Sequence, residues 1–534
     1  MKAHGAAACL LIAGTSRTPV PAQPELAQAA PAALSPLIAR LGEGAADEAR
    51  LWRTLAALDL ARRAGFLPVP PAAPVAVSVA APDRLEAPTP HAESLLRQML
   101  GGFHPQLVAL WLRLAARQGR RLPHALLPAM LDLGARQPGL RPAIAAVADE
   151  RGRWLAVHDP RWAYVAESAA RGDDSAALRE LFETGTPEQR AAALQRWREL
   201  APAEARAALE AGWKSEAPES RGQLLRLLAT GLSAADETFL EAALDDRRKE
   251  ARIAAEELLL RLPGSALVAR MRERLAALVK VESRLLLGKK LRVELPAEAT
   301  KAMLRDGVGR DRSTHLGEKA GWLADLVAAM PLSHWSGLLD AAPAKALDLL
   351  VANEHRAALL YGLATACLRA PAADPEWTRA LLDRWLQRDA ESAGHFPYQL
   401  AGAVGGLPAP QADSALQAWV RASPRVWSAD ESIATLLVQA VHSERPWSRA
   451  LSVLVVERLA ASRPALNQSY SSLRSQAQAW AAALDPLGLA EYEARWPASP
   501  ADDSPALTRM RDEFFAVARL RHDLHISFSG DDHG

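Results

Sequence analysis

The sequence is short of cysteine, aromatic residues and charge bias. It has two Cys in 534 residues, Cys9 and Cys367, and they stand far apart. They build neither a disulfide framework nor a zinc-finger spacing. Lys and Arg number 63 against 62 Asp and Glu, a net charge of +1. That balance argues against a phosphate-backbone binder, so nucleic acid is not the expected partner. No window approaches the ~18 uninterrupted apolar residues of a membrane helix, so no membrane span is expected. Phe, Tyr and Trp make up only 5% of the chain, although 15 residues are Trp. What remains is a hydrophobic content of 49% carried mainly by Ala, Leu, Val and Ile. Ala and Leu are the strongest helix formers, and strands favour the aromatics that are scarce here. The composition therefore predicts an all-α protein. The length suits about three domains or one long repeat array.

Lys2 precedes an apolar run, Ala6 to Ala13, that superficially resembles a short signal peptide. Its charged region is minimal, so a buried helix or strand is expected instead. Sparse Cys fits a reducing compartment, and a cytoplasmic protein is expected. Arg outnumbers Lys by 54 to nine, which with the abundant Ala and Pro points to GC-rich bacterial coding.

Residues 1–65 form an N-terminal helical segment. Leu37, Leu41, Leu51, Leu55 and Leu58 recur at helical spacing over 34–65, and Gly65 is placed to end the helix. Residues 66–92 hold seven Pro, which excludes a continuous helix and predicts an extended connector, with Val75, Val77 and Val79 as a candidate short strand. Residues 93–173 return to helix.

Residues 174–280 contain a repeat. Glu188, Glu219 and Glu250 are spaced by 31 residues, as are Arg190, Arg221 and Arg252. Leu209, Leu240 and Met271 keep the same register, and so do Trp213, Leu244 and Leu275. Several columns in one phase define a repeated unit. Each unit splits into two helices. Thr186 with Pro187 and Gln189 opens the first, Ser233 to Asp236 caps the second helix of the next unit, and Pro263-Gly264-Ser265 breaks the third. Paired helices that cannot bury their apolar faces alone must stack into an α-solenoid. Residues 281–316 interrupt the stack with a short alternating run, Leu285 to Leu295, and a Gly-containing loop around Gly307 and Gly309. Residues 317–534 resume as less regular helix pairs with a polar tail. The predicted helices are 317–329, 343–368, 375–390, 411–421, 429–442, 446–461, 466–484 and 505–522, with a capping box at Ser428 to Glu431.

Arg252-Ile253-Ala254-Ala255-Glu256-Glu257-Leu258-Leu259 and the Pro-Glu-x-Arg openings resemble HEAT-type repeats. The whole chain also resembles a bacterial family known only as a domain of unknown function. The resemblance rests on Gly14 to Arg17, Arg151-Gly152-Arg153-Trp154-Leu155, the repeats, and Leu316-Gly317-Glu318-Lys319-Ala320-Gly321-Trp322. It implies an irregular HEAT-like solenoid of stacked helical hairpins. Genes of that family commonly lie beside those for SWIM zinc-finger proteins, MoxR-type AAA+ ATPases and von Willebrand A-domain proteins. The resemblance thus implies partners of those kinds and no known activity.

Few constellations suggest chemistry. Gly14-Thr15-Ser16-Arg17-Thr18-Pro19 lacks the second Gly and the Lys of a phosphate loop and reads as a turn. His522 and His525 lie three apart beside Asp523, with Asp531, Asp532 and His533 nearby. They read as a solvated tail, and a metal-dependent enzyme using these His is an alternative. Lys289, Lys290 and Arg292 are a candidate basic contact, and they carry the other alternative, a nucleic-acid-binding solenoid. Arg190, Arg221 and Arg252 are expected to form an inter-repeat ladder, each binding a carbonyl or acid of the adjacent unit; the alternative is a ligand-facing row. Trp335, Trp427 and Trp447 fall near helix boundaries and are expected to be exposed partner anchors. No catalytic, cofactor or metal site is expected. The leading expectation is a non-enzymatic scaffold or adaptor that binds proteins.

Overall fold

A computed structural model describes residues 35–41, 44–64, 79–165, 175–284, 288–310, 316–387, 395–422, 436–437, 439–440, 447–461, 471–497 and 503–529. The Gly14 turn, Cys9, Val75 and Val77, the capping box at Ser428 to Glu431, Trp427, and Asp531, Asp532 and His533 lie outside them. The chain divides into two compact units, Met1–Val79 and Ala80–Gly534.

In the first unit the expected single helix is two, α1 (Ser35–Leu41) and α2 (Asp47–Ala64), packed together. Gly44 breaks them with φ of +70°, a conformation that costs Gly little. Leu51 of α2 is buried, whereas Trp52 and Leu60 are exposed.

The second unit opens with α3 (Pro90–Leu100), α4 (Val108–Arg117), α5 (Leu127–Arg136), α6 (Arg141–Val147) and α7 (Asp149–His158). The connector is shorter than the Pro pattern suggests. Thr89 accepts from the Ala92 N–H at 3.1 Å, and Pro90 takes the first helical position, where its missing N–H costs nothing. The Arg151-Gly152-Arg153 stretch has a structural role here. Asp83 accepts from the Arg151 N–H at 3.0 Å and from His124 Nε2 at 2.6 Å, and Arg151 reaches His124 Nδ1 at 3.0 Å. Buried Asp149 accepts from the N–H groups of Arg84 and Leu85, both at 2.7 Å. Together they pin residues 83–86.

The repeat follows as α8 (Ser175–Thr184), α9 (Pro187–Leu200), α10 (Pro202–Gly212), α11 (Pro218–Leu227), α12 (Glu237–Ala243), α13 (Lys249–Leu259) and α14 (Ala266–Leu278). Thr186 and Gln189 form the capping box at the start of α9. The first helices of successive units, α9, α11 and α13, lie side by side. Small residues permit this. Ala251, Ala254 and Ala255 are fully buried. Gly222 of α11 faces Glu250 so closely that a Cβ would stand 2.9 Å from the Glu250 Cβ. Arg198 and Asp236 form an ion pair at 3.0 Å with side chains 1% and 2% exposed.

The insert is a hairpin of β1 (Val279–Arg284) and β2 (Gly288–Val293), antiparallel with Val281 opposite Leu291 and Glu282 opposite Lys290. Val279, Leu291 and Val293 face inward, and Lys280, Glu282, Lys290 and Arg292 face solvent. Among the described residues this is the one sheet. After α15 (Lys301–Arg305), Gly307 takes φ of +98° directly against the buried Glu256 carboxylate, and Arg310 pairs with that same acid.

The remaining helices are α16 (Glu318–Ala328), α17 (Leu332–Leu339), α18 (Pro343–Val351), α19 (Arg356–Arg369), α20 (Pro375–Leu386), α21 (Ala409–Ala422), α22 (Arg449–Ala461), α23 (Ser471–Ala481), α24 (Leu489–Arg495) and α25 (Pro505–Ser529). The single helix expected over 343–368 is broken at Asn353. Its side chain donates to the Leu291 carbonyl at 3.0 Å and accepts from the His355 N–H at 2.9 Å.

The fold is all-α and of helical-repeat, solenoid-like type. One feature was not expected from the repeat: the two ends of this unit meet. α25 packs on α3 and α4. Phe528 meets Trp111 edge-on with ring centres 5.3 Å apart, and the Thr89 hydroxyl donates to the Ser527 carbonyl at 3.2 Å.

Candidate interaction groove

The first helices of three successive C-terminal units, α18, α20 and α21, line a groove of about 980 Å³. Its floor includes Leu347, Ala380 and Leu407. Pro343, Pro375 and Pro410 stand on the rim where the three helices begin. A charged pair and a hydrogen bond cross between the helices. Arg384 of α20 pairs with Asp348 of α18. Asp383 of α20 accepts from Trp419 Nε1 of α21 and from Arg379 Nε, the latter at 3.1 Å. The Arg379 guanidinium lies 5.0 Å from the Trp419 ring centre. The groove combines an apolar base with polar walls, the usual composition of a recognition cleft.

The Arg residues of the 31-residue register touch their neighbours in sequence order. Arg190 binds Glu216 with two parallel bonds of 3.0 and 2.6 Å and lies over the Phe182 ring at 4.9 Å. The bonds to Glu216 raise its pKa above the ordinary Arg value. Arg221 binds Asp246 at 2.9 Å over the Trp213 ring at 5.2 Å. Arg252 instead donates to the carbonyls of Asp246 and Arg247 at 2.8 and 3.1 Å. The chemistry of the columns explains the change. Arg190 and Arg221 find an acid 26 and 25 residues ahead, whereas Ala277 and Leu278 stand at those distances from Arg252, and Leu244 replaces the ring of Phe182 and Trp213.

A second ladder escaped sequence analysis. Arg384, Arg421, Arg458 and Arg495 are spaced by 37 residues, and each stands in the last turn of its helix. Arg458 donates to the Arg421 carbonyl at 3.0 Å, and Arg495 pairs with Glu457. The constant spacing was the signal that could have revealed it.

Trp335 and Trp447 are corrections. Both were expected to be exposed, yet Trp335 is 0% and Trp447 5% exposed. Trp335 lies inside α17, whose Leu332, Trp335 and Leu339 form one buried face. The Trp447 backbone N–H donates to the Ala483 carbonyl at 2.9 Å, which draws the residue into the core before α22 begins.

The basic contact is partly engaged. Lys289 reaches Asp340 at 3.0 Å and the Leu339 carbonyl at 2.8 Å. Arg292 pairs with Glu294 at 3.1 Å, and Lys290 is exposed opposite Glu282.

His522 and His525 are not in a solvated tail. α25 continues to Ser529 because Leu520, Leu524 and Phe528 remain buried along it. His522 Nδ1 donates to the Pro486 carbonyl at 2.7 Å. Among the described residues, no group of three or more His, Cys, Asp or Glu side chains is placed to hold a metal ion. No described helix is long and apolar enough to cross a membrane. Burial pushes the Cys367 thiol up to about 11, so it rests as the unreactive neutral form.

The family model described as a family of unknown function (DUF5691) matches residues 7–528, so the chain belongs to that family. No curated protein matches it.

Proposed function

We propose that this family member is a non-enzymatic protein-interaction scaffold or adaptor. The observation that carries the proposal is the groove across α18, α20 and α21, about 980 Å³ in volume and built by three successive units. Stacked repeats characteristically use such surfaces, shared among units, to hold another protein. The partners we propose are a MoxR-type AAA+ ATPase, a von Willebrand A-domain protein or a SWIM zinc-finger protein in a bacterial cytoplasm, as the family resemblance implies. Fold alone does not specify a partner, so the test must identify one.

The nucleic-acid reading is supported less well, because Lys289 and Arg292 already pair with Asp340 and Glu294. Affinity purification from the native host, comparing the wild-type chain with Ser414→Trp, tests the adaptor reading. Ser414 is exposed and lines the groove. A reproducible partner of one of the three proposed kinds that is lost in the variant supports it. A partner set unchanged by the substitution argues against the groove.

A further inference from the structure

The joint where the ends of the second unit meet is rich in cations. α25 brings Arg521, His522 and His525, and α4 brings Arg113 and Arg117. Asp485 faces Arg521 and His525, and its Oδ1 already accepts from the Leu487 N–H at 2.8 Å. Arg521 is buried and donates to the Leu484 carbonyl at 2.8 Å and also to the Ala482 carbonyl. These carbonyls follow α23, so the guanidinium stands at that helix's negative end. Tyr492 of α24 also faces Arg521. His525 lacks a comparable outlet: its Nε2 is buried and makes no hydrogen bond. Four residues beyond Arg521, it shares that residue's helix face, and Arg117 approaches from α4.

We propose that α25 is an acid-released latch. Protonating His525 adds a positive charge to a joint already occupied by Arg521 and Arg117, and this frees α25 from α3 and α4. Burial first, and then Arg521, hold the closed-state imidazole down to about 4. In the released helix it returns to the ordinary ~6.5. The closed joint is therefore fully favoured above pH 6.5. It loses ground as pH falls from 6.5 towards 4 and loses nothing further below that. By linkage, the opening equilibrium rises about 20-fold between pH 7 and pH 5.

Hydrogen–deuterium exchange on the full chain at pH 7 and pH 5, corrected for intrinsic exchange, tests the latch. Amides of α25, α3 and α4 should exchange about 20-fold faster at pH 5, while those of α9, α11 and α13 keep their protection. His525→Leu should bring the two pH values within about twofold of each other, because the titrating group is gone. Phe528→Ala removes the ring that meets Trp111, so it should speed exchange at both pH values and preserve their ratio. Equal protection of α25 at the two pH values overturns the proposal. So does an undiminished ratio in His525→Leu, or acid-accelerated exchange that extends equally through α9, α11 and α13.

Discussion

The two Arg ladders join their units in opposite ways. In the 31-residue stack the Arg is the fourth residue of a first helix, and in the first two of its three rungs the guanidinium reaches forward to an acid about 25 residues ahead: Glu216 for Arg190 and Asp246 for Arg221. In the 37-residue stack the Arg sits in the last turn of its helix and reaches back, to Asp348 from Arg384 and to Glu457 from Arg495. Burial separates them as well. The side chains of Glu216 and Asp246 are each 4% exposed, whereas Asp348 and Glu457 are 67% and 45% exposed. The forward ladder is a largely desolvated frame. Asp348 and Glu457 of the backward ladder are open to water, and its Arg384–Asp348 pair lines the groove, where loosening a pair costs little. One residue type therefore makes a desolvated joint or a water-exposed one according to the burial of the acid it reaches: Arg198, in the last turn of α9, still makes a buried pair with Asp236.

The comparison can be broken by mutation. The largest loss belongs to Arg198→Ala in the forward stack. It leaves buried Asp236 only the Ser233 N–H and Arg206 at 3.7 Å, and removes the donor to the Thr230, Pro202, Leu228 and Gly231 carbonyls, so denaturant unfolding should show a cost of about 3–5 kcal/mol. Arg221→Ala should cost about 1.5–3 kcal/mol in the same assay, since it removes a charged hydrogen bond from a mostly buried acid. Arg190→Lys keeps the charge but gives up the paired bonds to Glu216. It should cost about 1 kcal/mol, and an unchanged midpoint would mean that the fork geometry contributes nothing. Arg384→Ala and Arg495→Ala should each cost less than about 1 kcal/mol, and raising salt should shrink even that. If Arg384→Ala matched Arg221→Ala, the contrast between frame and yielding stack would be wrong.

The sequence made the forward stack legible because several columns repeat in one phase, polar and apolar together. The backward stack hid because only its Arg column is constant. The neighbouring column, Trp385, Ala422, Leu459 and Trp496, is apolar throughout but ranges in volume from Ala to Trp, which any helix core position could show. The groove was illegible for a related reason: its base is assembled from Leu347, Ala380 and Leu407, which no local motif links. Trp335 and Trp447 were misread because proximity to a helix boundary says nothing about what packs over it. The joint between α25 and α3 is a contact across more than 400 residues, as between Thr89 and Ser527, and periodicity carries no information at that range.

The adaptor reading rests on partner contact with the groove and not with the frame. A photo-crosslinking residue at Gln387, exposed in the groove lining, can be compared in the native host with one at Glu210, exposed on α10. A discrete protein adduct is expected from position 387 and none from position 210. No adduct at 387, or the same adducts from both positions, would contradict it.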